Sequence, residues 1–192
     1  YDKTQADFAR EITSLKTSKT GRPGNGLNNQ PAPASSYDFD ALFIPDSYLR
    51  VNMIVPQLAF HDLTGIHLLG TGAWNSPELL KENSAYLEGA VFTDDFYPDS
   101  FYPEVNDFID AFYAAYGREP KDLEALVYDA AGIAVKVMTG KDTTTKETFR
   151  AALAGSRDFP GVTGRTSVSA GRNVEKDAFL LTIRNGQIMQ VK

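Results

Sequence analysis

The stretch from Ile66 to Leu80, IHLLGTGAWNSPELL, constrains this chain more than any other. Ile66, Leu68 and Leu69 form a short apolar run, Gly70 and Gly72 relax the backbone, and Ser76, Pro77 and Glu78 supply a helix cap, a first-turn proline and a first-turn acid. That order predicts a buried strand, a glycine-containing loop and a helix start. The same grammar stands upstream, where Ala41 to Ile44 precede Pro45, Asp46 and Ser47 and a helical pattern runs on through Leu58. Parallel strands joined by helices point the same way, so two successive βα units present Pro45 to Tyr48 and Thr71 to Asn75 on one edge of a sheet. Ligands of open α/β sheets bind at that edge. The candidate ligand-binding residues are therefore Asp46, Ser47, Tyr48, Thr71, Gly72, Trp74 and Asn75.

Charge and composition narrow the function classes. A net charge of −6 and no basic run argue against nucleic-acid binding, which needs clustered Lys and Arg against phosphates. With no cysteine in 192 residues, disulfides, thiolate metal sites and cysteine nucleophiles are all excluded. No apolar run approaches the roughly 20 residues of a membrane helix, and the opening YDKTQADF is not a signal peptide, so the chain is not expected to span a membrane. Phe8, Ile12 and Leu15 recur at helical spacing over Gln5 to Thr17. Because α/β units ordinarily begin with a strand, this helical start suggests further sequence ahead of Tyr1.

Further along, residues 20–36, TGRPGNGLNNQPAPASS, are too polar and too rich in Gly and Pro to order themselves and read as a mobile loop. GAVFTDDF, from Gly89 to Phe96, predicts a third strand. Pro103 opens a helix whose Val105, Phe108, Ile109 and Phe112 share a face, and Gly117 closes it. Leu123 to Met138 is close to apolar all round, which predicts the most buried helix of the chain. Thr144 or Thr145 caps a shorter helix, KETFRAALAGS. From Gly164 onward the pattern is β, ending in FLLTI and IMQV around the hairpin turn Asn185-Gly186.

Little catalytic chemistry is on offer. Asp94, Asp95 and Asp99 form an acidic cluster that reads as a solvated turn at a strand end rather than as a metal site or a glycosidase pair. His61 and His67 lack the spacing of a metal or general-base pair, and GTGAWN has Asn75 where a dinucleotide fingerprint needs its third glycine. With no recognisable nucleophile motif, the chain is expected to be no enzyme and to carry no cofactor and no metal. Trp74, the sole tryptophan, has two readings: a ring covering the core edge, or the apolar wall of a small-molecule pocket.

The order of the segments FDALFIPDSY, LLGTGAWNSPELL, LEGAVFTDDFYPDS, PEVNDFIDAFYAAYGREP, ALVYDAAGIAV and DFPGVTGRTSVSAGRNVEKDAFLLTIRNGQ resembles the later half of the type I periplasmic solute-binding proteins, the Leu/Ile/Val-binding-like receptors of ABC transporters. The resemblance implies an α/β fold, a parallel sheet flanked by helices with a C-terminal β-hairpin segment, and two lobes closing on a small, amino-acid-like solute. It implies that residues 1–96 supply βα units of the C-terminal lobe, that the helical segment 97–160 belongs to the N-terminal lobe of a full receptor, and that 161–192 close the fold. Amino-acid receptors of this kind hold the ligand ammonium with an acid near the GT loop, where this chain has Gly72, Ala73 and Trp74. FDALFIPD and LAFHDLTG are closer in wording to the penicillin-binding-protein activators, envelope lipoproteins that regulate a cell-wall synthase. The implied partners are thus a small solute with an ABC transporter permease or, alternatively, a cell-wall synthase, in the periplasm or anchored at the outer membrane. The apolar faces of the helices from Pro103 to Ser156 add the expectation that the chain by itself forms a dimer.

Overall fold

A computed structural model describes residues 4–17, 37–140, 143–169, 171 and 173–191. The loop expected at 20–36 lies outside the described residues. The fold is α/β, with parallel strands flanked by helices and a small antiparallel sheet toward the C-terminus. By packing, the chain divides into two units, the first made of residues 1–92 and 182–188 and the second of 93–181 and 189–192.

The first unit holds helix α1 (Ala9–Thr17), strand β1 (Ala41–Phe43), helix α2 (Tyr48–Phe60), strand β2 (His67–Gly70), the short helix α3 (Leu80–Asn83) and the start of strand β3 (Val91–Asp94). β1 pairs with β2 in parallel, Phe43 opposite Leu69, and β2 pairs with β3 in parallel, Gly70 opposite Phe92. Val51, Val55, Trp74, Leu79, Leu87 and Phe92 form its core. α2 tolerates Pro56 in its interior for a visible reason. Proline has no N–H to give the carbonyl one turn back, at Asn52, and the buried Asn83 side chain donates to that oxygen instead at 3.1 Å. The same amide reaches the Asn52 side chain, tying α3 to α2. The helix start expected at Ser76 is a 3-10 turn, Pro77–Leu79, with the Ser76 hydroxyl accepting the Glu78 N–H. One α-helical turn, Leu80–Asn83, and a further 3-10 turn, Ser84–Tyr86, follow.

The second unit holds α4 (Pro103–Tyr116), α5 (Asp122–Met138), α6 (Lys146–Ala154) and an antiparallel sheet of β4 (Phe159–Gly161), β5 (Gly164–Val168) and β6 (Val174–Lys176). Gly117 ends α4 in the left-handed region, and Thr145 caps α6. β4 and β6 were not legible as strands, since Pro160 and the charges of Glu175 and Lys176 mask any alternation. Strands β7 (Phe179–Arg184) and β8 (Gln187–Gln190) form a hairpin whose turn residues, Asn185 and Gly186, both have positive φ, and each strand runs from one unit into the other. The sheet order is β1-β2-β3-β7-β8.

α5 departs from expectation. It is not the most buried helix: Leu123 is 71% and Met138 58% exposed, and Val127, Tyr128 and Val135 are exposed with them. An apolar pattern all round a helix states that several of its sides suit burial, and the described residues cover one. On that side Gly132 lies so near Phe159 that a Cβ would stand 2.9 Å from the ring.

Candidate ligand-binding edge and family

β1 and β2 end side by side, so the loops that follow them share one edge of the first unit. The Ile44 N–H donates to the Leu69 carbonyl at 2.9 Å, carrying the pairing one residue beyond β1. Asp46 turns its carboxylate onto the Ser47 N–H at 2.7 Å, and the Ser47 hydroxyl stands 3.4 Å from the same oxygen. Ser47 occupies the N-cap position of α2, but its side chain does not cap. Its main-chain oxygen instead accepts the N–H groups of Arg50 and Val51. Tyr48, the first residue of α2, is half-buried. On the neighbouring loop, Thr71 and Gly72 open a tight 3-10 turn in which their carbonyls accept from Trp74 and Asn75, both at 2.9 Å. The side chains of Tyr48 and Thr71 make no hydrogen bond to another described residue.

Trp74 does not line that edge. It is 0% exposed, and its indole N–H donates to the Ile44 carbonyl at 3.1 Å, which spends its one polar atom on joining the two loops from within. The ring lies on Gly70 and 6.0 Å from the Phe92 ring. Of the two readings of this residue the structure takes the core one, because the 3-10 turn folds the ring back under the sheet. Gly70 is where a close approach requires glycine, since a Cβ there would stand 2.3 Å from the indole carbons. Gly70→Ala is accordingly expected to destabilise the chain by about 1 to 3 kcal/mol, as overpacked cores do, read as a lowered denaturation midpoint.

The remaining polar candidates stand elsewhere. His67 begins β2, at the end opposite the candidate edge, and His61 closes α2, stacked edge-on against Phe60. Asp94 accepts the N–H of Asp95 at 2.7 Å, while burial and the Asp99 carboxylate push the Tyr97 phenol above its usual range. Among the described residues no three His, Asp or Glu side chains gather closely enough to hold a metal ion.

A sequence profile described as periplasmic binding protein matches residues 51–187, well over half of the chain. The chain belongs to the periplasmic binding protein family. Among solved structures, a Rhodospirillum rubrum protein assigned to branched-chain amino acid ABC transport is similar at 26% identity and a TM-score of 0.71, over 79% of this chain and 44% of that one. The leucine-binding protein LivK of Thermotoga maritima is similar at 21% identity and a TM-score of 0.65, over 100% of this chain and 49% of that one. A solute-binding protein of an R. palustris ABC transporter, solved with benzoate, has 18% identity and a TM-score of 0.56, over 100% and 48%. No curated protein matches the chain significantly. The chain thus spans about half the length, or less, of these solved relatives. Members of the periplasmic binding protein family are extracytoplasmic solute-binding receptors, and no described helix here is long and apolar enough to cross a membrane.

Proposed function

We propose that this chain is the ligand-binding portion of a non-enzymatic receptor that captures a small carboxylate-bearing solute, amino-acid-like, and delivers it to an ABC transporter permease. The observation that carries this is the shared edge of β1 and β2, where the Tyr48 hydroxyl at the start of α2 and the Thr71 hydroxyl in the loop after β2 have no partner among the described residues, and the Asp46 carboxylate precedes α2. Hydroxyl donors suit a carboxylate. Leucine and benzoate, named with two of the similar structures, have in common a carboxylate on an apolar body. Gly72 leaves backbone accessible in the same loop, and Asn75 adds a half-buried amide. Trp74, buried directly behind the edge and hydrogen-bonded to its backbone, supports the ligand loops rather than the ligand.

An amide-resolved NMR titration of the 192-residue chain with leucine, isoleucine and benzoate tests this, since it reads binding even in the millimolar range. With the solute that binds, shifts are expected to centre on Asp46 to Tyr48 and Thr71 to Asn75, including the Trp74 indole N–H. Tyr48→Phe and Thr71→Val should each weaken that binding about 3- to 10-fold, as loss of one hydrogen bond does, with melting unchanged. Shifts centred elsewhere, or affinities indifferent to both substitutions, would remove the edge from consideration.

A further inference from the structure

The hairpin turn between β7 and β8 holds a reactive pair that the fold also restrains. Asn185 is exposed, and its side-chain amide makes no hydrogen bond to another described residue. The next residue, Gly186, has no side chain to screen its main-chain nitrogen. An asparagine followed by glycine can therefore close on itself. The Gly186 nitrogen attacks Asn185 Cγ, the new C–N bond gives a cyclic succinimide, and Cγ–Nδ2 breaks, releasing ammonia that carries off the proton of the Gly186 nitrogen. Water then opens the ring at either carbonyl, leaving aspartate or isoaspartate, with nothing oxidised or reduced.

In the closed turn that attack has no path. Asn185 and Gly186 have φ of +52° and +69°, both left-handed, as in the hairpin turns that match twisted strands. An asparagine in that conformation carries the next nitrogen on the side of its Cα–C bond opposite its own Cβ, out of reach of Cγ. Glu88 holds the turn closed. Both of its carboxylate oxygens accept the Asn185 N–H, at 3.1 and 3.0 Å, and no other described side chain is bonded to Asn185. The clasp lies just beyond the backbone bonds from Gly89 to the Ile183 carbonyl, 2.9 Å, and from Ile183 to the Ala90 carbonyl, 3.2 Å, and all of these residues belong to the first unit. We propose that Asn185 is a deamidation site of the native chain whose rate is set by Glu88: each opening of the turn brings the amide within reach of Gly186, and the Glu88 clasp limits how often the turn opens. The change runs one way. Aspartate at this position sets a second carboxylate beside Glu88, and isoaspartate adds a main-chain atom to a tight turn, so either product loosens the clasp.

The sequence supplies its own control, a second Asn-Gly pair at Asn25-Gly26 that lies outside the described residues. The 192-residue chain, Glu88→Ala and Glu88→Gln are aged in mildly alkaline buffer, and proteolytic digestion with mass spectrometry reads the conversion of each amide to an acid. The chain unfolded in urea gives the unrestrained rate. Asn185 should convert more slowly in the native chain than in urea. Glu88→Ala should speed it about 3- to 10-fold, as follows from loss of one hydrogen bond in the closed state, and Glu88→Gln, which keeps one acceptor, should give an intermediate rate. Asn25 should convert at one rate in all three proteins. Should Glu88→Ala melt without cooperativity, Glu88→Gln carries the comparison. Native Asn185 that stays intact while the unfolded sample converts fully, or that converts as fast as in urea, overturns the proposal. So do equal Asn185 rates in the native and substituted chains. A Glu88 substitution that speeds Asn25 as much as Asn185 overturns it too, because it reports general loosening rather than release of one turn.

Discussion

Trp74→Ala is expected to lower stability by about 3 to 5 kcal/mol, the range for emptying a large aromatic from a packed core. The indole is fully buried between Gly70 and Phe92, and Gly70 has no side chain to move into the space. The substitution also leaves the Ile44 carbonyl without the N–H that holds the end of β1. Trp74→Phe separates the two losses, keeping most of the ring while removing the donor, and should cost about 1 to 2 kcal/mol. Far-ultraviolet circular dichroism in denaturant reads both, since the variants have no tryptophan left to report. A cost under about 1 kcal/mol for the alanine variant would mean that the ring is not the keystone of the two loops and would reopen its role as a ligand wall.

The second large effect is expected at Asp129, a carboxylate on α5 that is only 5% exposed. One oxygen accepts the Val162 N–H and the other the Thr163 N–H, both at 2.8 Å, and the Thr163 hydroxyl also donates to the second. A buried acid therefore caps the turn between β4 and β5. Asp129→Ala leaves three buried donors without an acceptor and should cost about 3 to 5 kcal/mol. Asp129→Asn keeps the volume but turns an N–H toward one of those donors, so about 2 to 3 kcal/mol is expected. Hydrogen exchange gives a readout that a merely loosened helix would not: the Val162 and Thr163 amides in the β4–β5 turn should lose protection ahead of the amides of α5. If those two amides stay protected in the alanine variant, the turn is held by β4 and β5 alone.

Asp129 also explains wording that was conspicuous in the sequence but had no physical account there. In DFPGVTG, Gly161 is small because a Cβ would stand 2.4 Å from the Asp129 carboxylate, Val162 and Thr163 provide the donors, and Gly164 sits at φ +107° against the Asp177 carbonyl. The acid lies on a helix more than thirty residues earlier, and no local pattern joins the two.

By itself the sequence determined what local chemistry can state. Apolar runs, caps and breakers located β1, β2 and β3, the helices after Ser47, from Pro103 and from Leu123, and the Asn185-Gly186 turn, and the parallel direction of two βα units brought the loops after β1 and β2 to one edge. Those features depend on neighbours within a few residues. Only the tertiary structure decided which way a side chain faces once distant elements meet. It sent Trp74 inward onto Gly70, supplied the Asn83 amide to the carbonyl that Pro56 leaves open, and left α5 covered on one side although its composition suits burial on several. A periodic pattern records a side chain's affinity for an apolar environment, and whether that environment is present depends on what packs against it.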